Sequence, residues 1–326
     1  MPKRIIYAIL LILLFSCNSC ADVPVDIFRP YDINGTRQWL LVKSLDKANP
    51  VLLYLAGGPG ISMIPFAHIN TITEKMLAGY TVVHWDQRGT GLSYDPDIPE
   101  ETITIDQYIE DTHEVIKKIK TICGQDKVYL LGHSWGAILG VLYCQRYPDD
   151  VKAYIGVGQF VAYYEGEDIS REWLKKQINE AGNESDLKRL EGITWADRDL
   201  LRKYGGTIKN PGSVNINEIL LASPYNPEKY SLTLSNKGVE LVRGNMRDEL
   251  WSLDFRETVL NFDIPVYFFV GRNDYVTAWQ LTEEYFNLIN APAKEIVWFD
   301  ESAHRCDIEE PEKFQNELLK IQEKYH

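Results

Sequence analysis

Ser134 stands in the run Gly132-His133-Ser134-Trp135-Gly136, a G-x-S-x-G spacing, and this is where chemistry can first be read from the chain. A serine hydroxyl is a poor nucleophile until a base takes its proton, so it must be exposed where a histidine can reach it. A sharp turn from strand to helix exposes it, and small residues on either side leave room for the tight backbone. Glycine and serine are common, so the surroundings carry the argument. Val128-Tyr129-Leu130-Leu131 reads as a buried strand, and Ala137 to Arg146 reads as the helix that follows.

A base and an acid must then follow the serine in chain order. Of six histidines only His304 and His326 lie beyond Ser134, and His326 is the terminal residue. His304 is therefore the candidate general base. The acid that orients it belongs just past the carboxyl end of the preceding strand, where Asp274 follows Val266–Val270 and Gly271-Arg272-Asn273. Asp254 and Asp263 precede that strand and lie at its wrong end; Asp300 is the runner-up, too near His304 in sequence for an easy side-chain geometry. Attack on a carbonyl also needs donors for the developing oxyanion. The backbone N–H of Trp135 is one candidate. Gly58, ahead of Gly57, is the other, in the loop Ala56-Gly57-Gly58-Pro59-Gly60.

These residues need a frame that brings distant loops to one edge. Asn34-Gly35 between two strand-like runs, Val25–Ile33 and Thr36–Lys43, predicts a hairpin. Val51–Leu55, Tyr80–Trp85, Val128–Leu131, Val151–Val157, Pro265–Val270 and Glu295–Phe299 read as further strands, alternating with helical stretches. One of these, Asp106 to Ile122, places Ile109, Thr112, Ile116 and Ile119 on one face with Val115 beside it. Pro311 to Lys324 closes the chain as a helix. The expected fold is α/β: a mostly parallel central sheet with helices on both faces, whose reactive loops sit at the carboxyl ends of the strands. Residues 161–251 interrupt the alternation and read as an inserted helical lid, leaving 25–160 and 252–326 as the catalytic domain.

The N-terminus reads separately. Lys3 and Arg4 precede an apolar run, Ile5 to Phe15, too short for a membrane span and suited to a signal-peptide core. It ends in Leu14-Phe15-Ser16-Cys17, which resembles the lipobox of bacterial lipoproteins. The expectation is a leader over 1–16, lipidation at Cys17 and a tether over 17–24, and so an exported lipoprotein held at a membrane by acyl chains. Cys20 is the poorer candidate for that modification. The five cysteines show no metal-ligand spacing. With 34 basic against 47 acidic residues, the formal net charge of −13 gives nucleic-acid binding no electrostatic support.

Three runs together resemble the α/β-hydrolase superfamily and, within it, the proline iminopeptidase-like group: Gly57-Gly58-Pro59-Gly60, Asp86-Gln87-Arg88-Gly89-Thr90-Gly91-Leu92-Ser93, and Gly132–Gly136. The similarity extends to Gly271–Val276 and Ser302-Ala303-His304, so it covers the catalytic domain end to end but not 161–251. The D-Q-R-G-x-G-x-S run is the most group-specific; it reads as structural, with Asp86 and Arg88 as a candidate pair. Two positions depart from the group. Ala56 stands where H-G-G-P-G usually opens with histidine, and His133 stands where true proline iminopeptidases usually have glycine. The resemblance implies a serine hydrolase using an acyl-enzyme, with no metal or organic cofactor, that releases N-terminal residues from short peptides. It also implies lid carboxylates for the substrate's free amine, for which Glu165 and Glu167 are the candidates, with Asp168 and Glu172 nearby. A carboxylic ester hydrolase with the same triad is the alternative within enzymes. A non-catalytic binding lipoprotein on a hydrolase scaffold is the alternative outside them.

Overall fold

The computed structural model describes residues 23–212, 215–225 and 232–325. The expected leader and Cys17 lie outside the described residues.

The hairpin forms where Asn34-Gly35 can take positive φ at both positions, 47° and 78°, which matches the right-handed twist of the flanking strands. It joins β1 (Val25–Ile33) to β2 (Thr36–Ser44), with Ile33 opposite Thr36. Six more strands follow: β3 (Val51–Leu55), β4 (Thr81–Asp86), β5 (Val128–His133), β6 (Val151–Val157), β7 (Val266–Gly271) and β8 (Lys294–Phe299). Their order across the sheet is β1-β2-β4-β3-β5-β6-β7-β8. β2 pairs antiparallel with both β1 and β4; the pairs from β4 onward are parallel.

Every residue of β3, β4, β5 and β7 is buried, as continuous apolar strands covered on both faces should be. Side chains alternate between the faces. Leu53, Leu55, Leu130, Val266 and Phe268 enter one core, against α2 (Ile105–Cys123), α3 (Trp135–Arg146) and α10 (Trp279–Leu288). Leu52, Tyr54, Tyr129, Leu131, Tyr267 and Phe269 enter the other, against α1 (Asn70–Gly79) and α12 (Pro311–Lys324). The helix α2 shows how local signals agree. Thr104 caps its start by accepting the Gln107 N–H at 3.1 Å, and Gly124 ends it at φ 66°. Ile109, Thr112, Val115, Ile116 and Ile119 form its buried face. Burying each such isoleucine contributes about 2–3 kcal/mol.

Between β6 and β7 the chain runs through α4 (Tyr163–Glu180), α5 (Glu184–Glu191), α6 (Arg198–Lys203), α7 (Ile216–Ala222) and α8 (Leu232–Trp251), before the short α9 (Phe255–Thr258). This insert has a small core of its own from Leu174, Ile178, Leu190, Leu200 and Leu201. It also docks on the sheet domain: Val242 and Met246 of α8 enter the main core, and Trp173 of α4 stacks on Tyr275 at 4.2 Å. A last short helix, α11 (Cys306–Glu309), precedes α12.

The sheet reverses its direction of growth at β3: β4 is added on one side and β5 on the other. Such a switch leaves a crevice outside the carboxyl ends of the two strands, because the loops that follow them turn apart. The glycine-rich loop after β3 and the turn after β5 both lie at this switch point.

Candidate active site

Ser134 sits between β5 and α3 with φ 55° and ψ −114°, backbone angles that non-glycine residues rarely adopt. Holding them costs about 1–3 kcal/mol. The packing around the turn enforces them. A Cβ on Gly136 would lie 2.0 Å from the Leu55 carbonyl oxygen, so α3 reaches the end of β3 only because that position has no side chain. The Ser134 N–H is tied at 2.9 Å to the Val157 carbonyl at the end of β6. His133 and Trp135 are buried, while Ser134 between them keeps exposed surface.

Asp274 lies on the loop after β7 and His304 on the loop after β8. The structure brings them together: Asp274 Oδ2 is 2.8 Å from His304 Nδ1, with both residues buried. The carboxylate is fully engaged. Its Oδ1 accepts the N–H groups of Val276 and Thr277, at 2.9 and 3.1 Å, and its Oδ2 also accepts the Thr277 hydroxyl at 2.9 Å. Burial alone would raise the Asp274 pKa. The facing His304 charge and these donors outweigh it and hold the group below the usual carboxylate range. The runner-up Asp300 instead lies beside Arg272, at 3.5 Å.

Three groups that sequence reading missed fix this pair in place. Gly158, just past the Val157 that holds Ser134, has φ 52°, and a Cβ there would lie 2.8 Å from His304 Nδ1 and 3.2 Å from Asp274 Oδ2. Only a glycine lets the imidazole and carboxylate settle against the end of β6. From the insert, Gly206 and Thr207 accept backbone N–H groups of Tyr275 and His304 at 3.0 and 3.1 Å, so the insert holds both loops. Neither glycine nor threonine in an unaligned insert carries a sequence signal for such a role.

His133, the departure from the iminopeptidase pattern, joins the same cluster. Its ring lies 4.7 Å from that of His304, and its Nε2–H donates to the His304 carbonyl at 3.0 Å. Burial, and then the charges of His304 and Arg305, push its pKa down to about 3, so it is neutral with its proton on Nε2. A Cβ on Gly57 would lie 2.7 Å from His133 Nδ1, so the glycine loop after β3 packs directly on this ring. Gly58 follows at φ 130°, and its carbonyl accepts from Arg243 Nη2 of α8 at 2.8 Å. Trp135 is anchored through its indole N–H, which donates to Gln87 Oε1 at 2.9 Å.

The two lid carboxylates are already partnered. Glu167, nearly buried, is ion-paired with Arg198 and accepts the Ala196 N–H at 2.8 Å. Glu165 pairs with Arg256 at 2.6 Å, and Arg256 also holds Asp254 and Glu284. The D-Q-R-G run is buried, but the pair expected between Asp86 and Arg88 gives way to a different one. Arg88 reaches over to α2 and clasps Asp111 with Nε and Nη2, at 2.8 and 2.9 Å. Asp86 accepts from the Ser62 hydroxyl and, at 2.8 Å, from the Leu92 N–H. The reason is reach: a guanidinium needs a carboxylate facing its two N–H edges, and Asp111 projects from the buried face of α2.

The fold and this arrangement define a class. Residues 50–304 match the α/β hydrolase fold family, and the chain belongs to it. Among its relatives is a protein named probable aminopeptidase YbaC from Bacillus subtilis strain 168, 30% identical over 307 residues, which cover 90% of this chain and 95% of that one. A proline iminopeptidase from Thermoplasma volcanium is 26% identical over 311 residues, with 90% and 95% coverage. Among solved structures, the proline iminopeptidase of Mycobacterium smegmatis superposes with a TM-score of 0.65 at 19% identity, covering 92% of this chain and 98% of that one. At that identity the likeness is one of fold.

Proposed function

We propose that this chain is a serine hydrolase that works through an acyl-enzyme and removes the N-terminal residue from short peptides. The observation that carries the hydrolase reading is the 2.8 Å Asp274–His304 bond packed on Gly158, next to the Val157 carbonyl that holds a strained, partly exposed Ser134. In this mechanism His304 takes the Ser134 proton as the hydroxyl attacks the substrate carbonyl. Asp274 holds the imidazole with its proton on Nδ1 and stabilises the imidazolium that forms. The Trp135 and Gly58 N–H groups receive the oxyanion, and one such donor is worth about 3–4 kcal/mol of barrier. His304 then protonates the leaving amine, and water repeats the cycle on the acyl-enzyme. The names of the relatives support the aminopeptidase reading.

One observation favours carboxylic ester hydrolysis as the second reading. Glu165 and Glu167 each already hold an arginine, so a substrate amine would have to compete for them. Labelling with a fluorophosphonate tests the hydrolase itself: the chain reacts at Ser134, and Ser134→Ala does not. A folded chain that resists the reagent would mark a non-catalytic binding protein. Comparing aminoacyl-arylamides with aryl esters separates the enzymes, since activity on esters alone rules out the aminopeptidase. We extend the proposal to export as a lipoprotein. Radiolabelled palmitate should enter the chain in a bacterial host and fail to enter the Cys17→Ser variant.

A further inference from the structure

The glycine loop is held from α8 by an arginine that the mechanism does not use. Arg243 comes from α8, and its Nη2 bonds the Gly58 carbonyl at 2.8 Å. The guanidinium thus lies against the peptide group next to the one whose N–H is proposed to receive the oxyanion. Several other arginines are neutralised: Arg198 and Arg189 of the insert, by Glu167 and by Asp197 with Asp199, and Arg256 of α9, by three carboxylates. Arg243 differs. Among the described residues no carboxylate lies within 4 Å of it, in a chain with 13 more acidic than basic residues.

The residue keeps exposed surface, so a ligand can reach it. The protein around it still lowers its pKa, first by stripping water from the guanidinium and then through the like charge of Arg198; Tyr163 acts in the opposite sense. Two cations close enough to act on each other, one of them without an anion, form a field that favours negative charge. A guanidinium also offers paired N–H donors that match a carboxylate's two oxygens, and one of its nitrogens is here committed to Gly58.

We propose that Arg243 is a carboxylate receptor at the mouth of the site, so that the preferred substrates carry a carboxylate within a residue or so of the carbonyl that Ser134 attacks. This rests on the serine-hydrolase reading and narrows it. It predicts short peptides with a free carboxyl end or an acidic residue at the cleavage point, rather than neutral esters or amidated peptides.

The test pairs molecules that differ only in that charge. With the intact chain, kcat/KM is compared for Ala-Ala against Ala-Ala-amide and for Glu against Gln 4-nitroanilide. N-acetylalanine and N-acetylalaninamide are compared as protectors of Ser134 against a fluorophosphonate. Wild-type should prefer the carboxylate member of at least one substrate pair, and N-acetylalanine should protect better. Arg243→Gln should lose about 10- to 100-fold on that member, chiefly in KM, and little on its neutral twin, as expected for one charge-assisted hydrogen bond. Arg243→Lys should recover part of the loss. Equal losses on charged and neutral members would reduce Arg243 to a brace for the Gly58 loop and overturn the proposal. So would a wild-type chain indifferent to the charge. Where turnover is absent from all four substrates, the protection experiment decides alone. Failure of the wild-type chain to label at all strikes the hydrolase reading instead, and calorimetric binding of N-acetylalanine against its amide then tests the receptor by itself.

Discussion

At the scale of single residues, the site depends on a conformation that its own side chain opposes. Ser134 at φ 55° would relax if it lost its Cβ. Ser134→Gly should therefore raise stability by about 1 kcal/mol, after the added entropy of the unfolded glycine is set against the released strain. Urea unfolding of the two proteins measures this directly. Asp274 has the opposite balance. Four donors converge on a buried carboxylate, so its value lies in charge and orientation rather than packing. Asp274→Asn keeps the shape but presents an amide N–H or a weaker acceptor to His304, which upsets the imidazole tautomer. By analogy with the serine protease triad, kcat should fall about 10⁴-fold. Steady-state kinetics on an aryl ester would show it, with little change in KM. The turn at Ser134 was legible from its G-x-S-x-G spacing, and the Asp274–His304 contact from the scarcity of histidines after the serine. Gly158 and Thr207 were not, since what they do depends on contact between segments far apart in the chain.

At the scale of elements, local signals and tertiary packing agree closely. The Asn34-Gly35 turn, the boundaries of β3 and β6, and the whole of α12 follow from turn chemistry, apolar runs and a proline at the first helical turn. The buried face of α2 follows from its spacing, with one exception that matters. Asp111 sits fully buried on that face, where a carboxylate has no place without a partner. Its partners are Arg88, Gln38, Asn34 and Gln107. This one group therefore ties the hairpin, the loop after β4 and α2 together. Removing one member of such a buried pair leaves the other charge uncompensated. Asp111→Ala should cost about 3–5 kcal/mol, read as a lowered urea midpoint with an unchanged m-value. A carboxylate interrupting an apolar face was the available signal; the identity of its partner was not in the local sequence.

At the scale of the whole molecule, burial makes stability depend on acid. His133 and His84 lie inside the protein as neutral imidazoles. Burial dominates both, with Lys43 adding to the effect at His84, and their pKa values fall to about 3 and about 4. In the unfolded chain each titrates near 6.5. Above that pH neither affects the balance. As pH falls below it, the unfolded chain takes up protons that the folded chain refuses, and stability is lost until the folded values are reached. By pH 5 the loss should be about 2 kcal/mol for each histidine. Denaturation midpoints at pH 7.5 and pH 5 measure it. His133→Gln, which can keep the donor to the His304 carbonyl, should reduce the difference by about 2 kcal/mol.

The chain alone determined the alternation of strands and helices, the chain order of the candidate nucleophile, acid and base, and the place of the glycine loop. These depend on spacing and chain order, which are local or one-dimensional. Tertiary structure decided who partners whom: Arg88 with Asp111, Glu167 with Arg198, the insert's Thr207 with His304, and Arg243 with Gly58. Charge pairing and close approach depend on distances between segments that lie from 23 to 185 residues apart along the chain, and no periodicity encodes those distances.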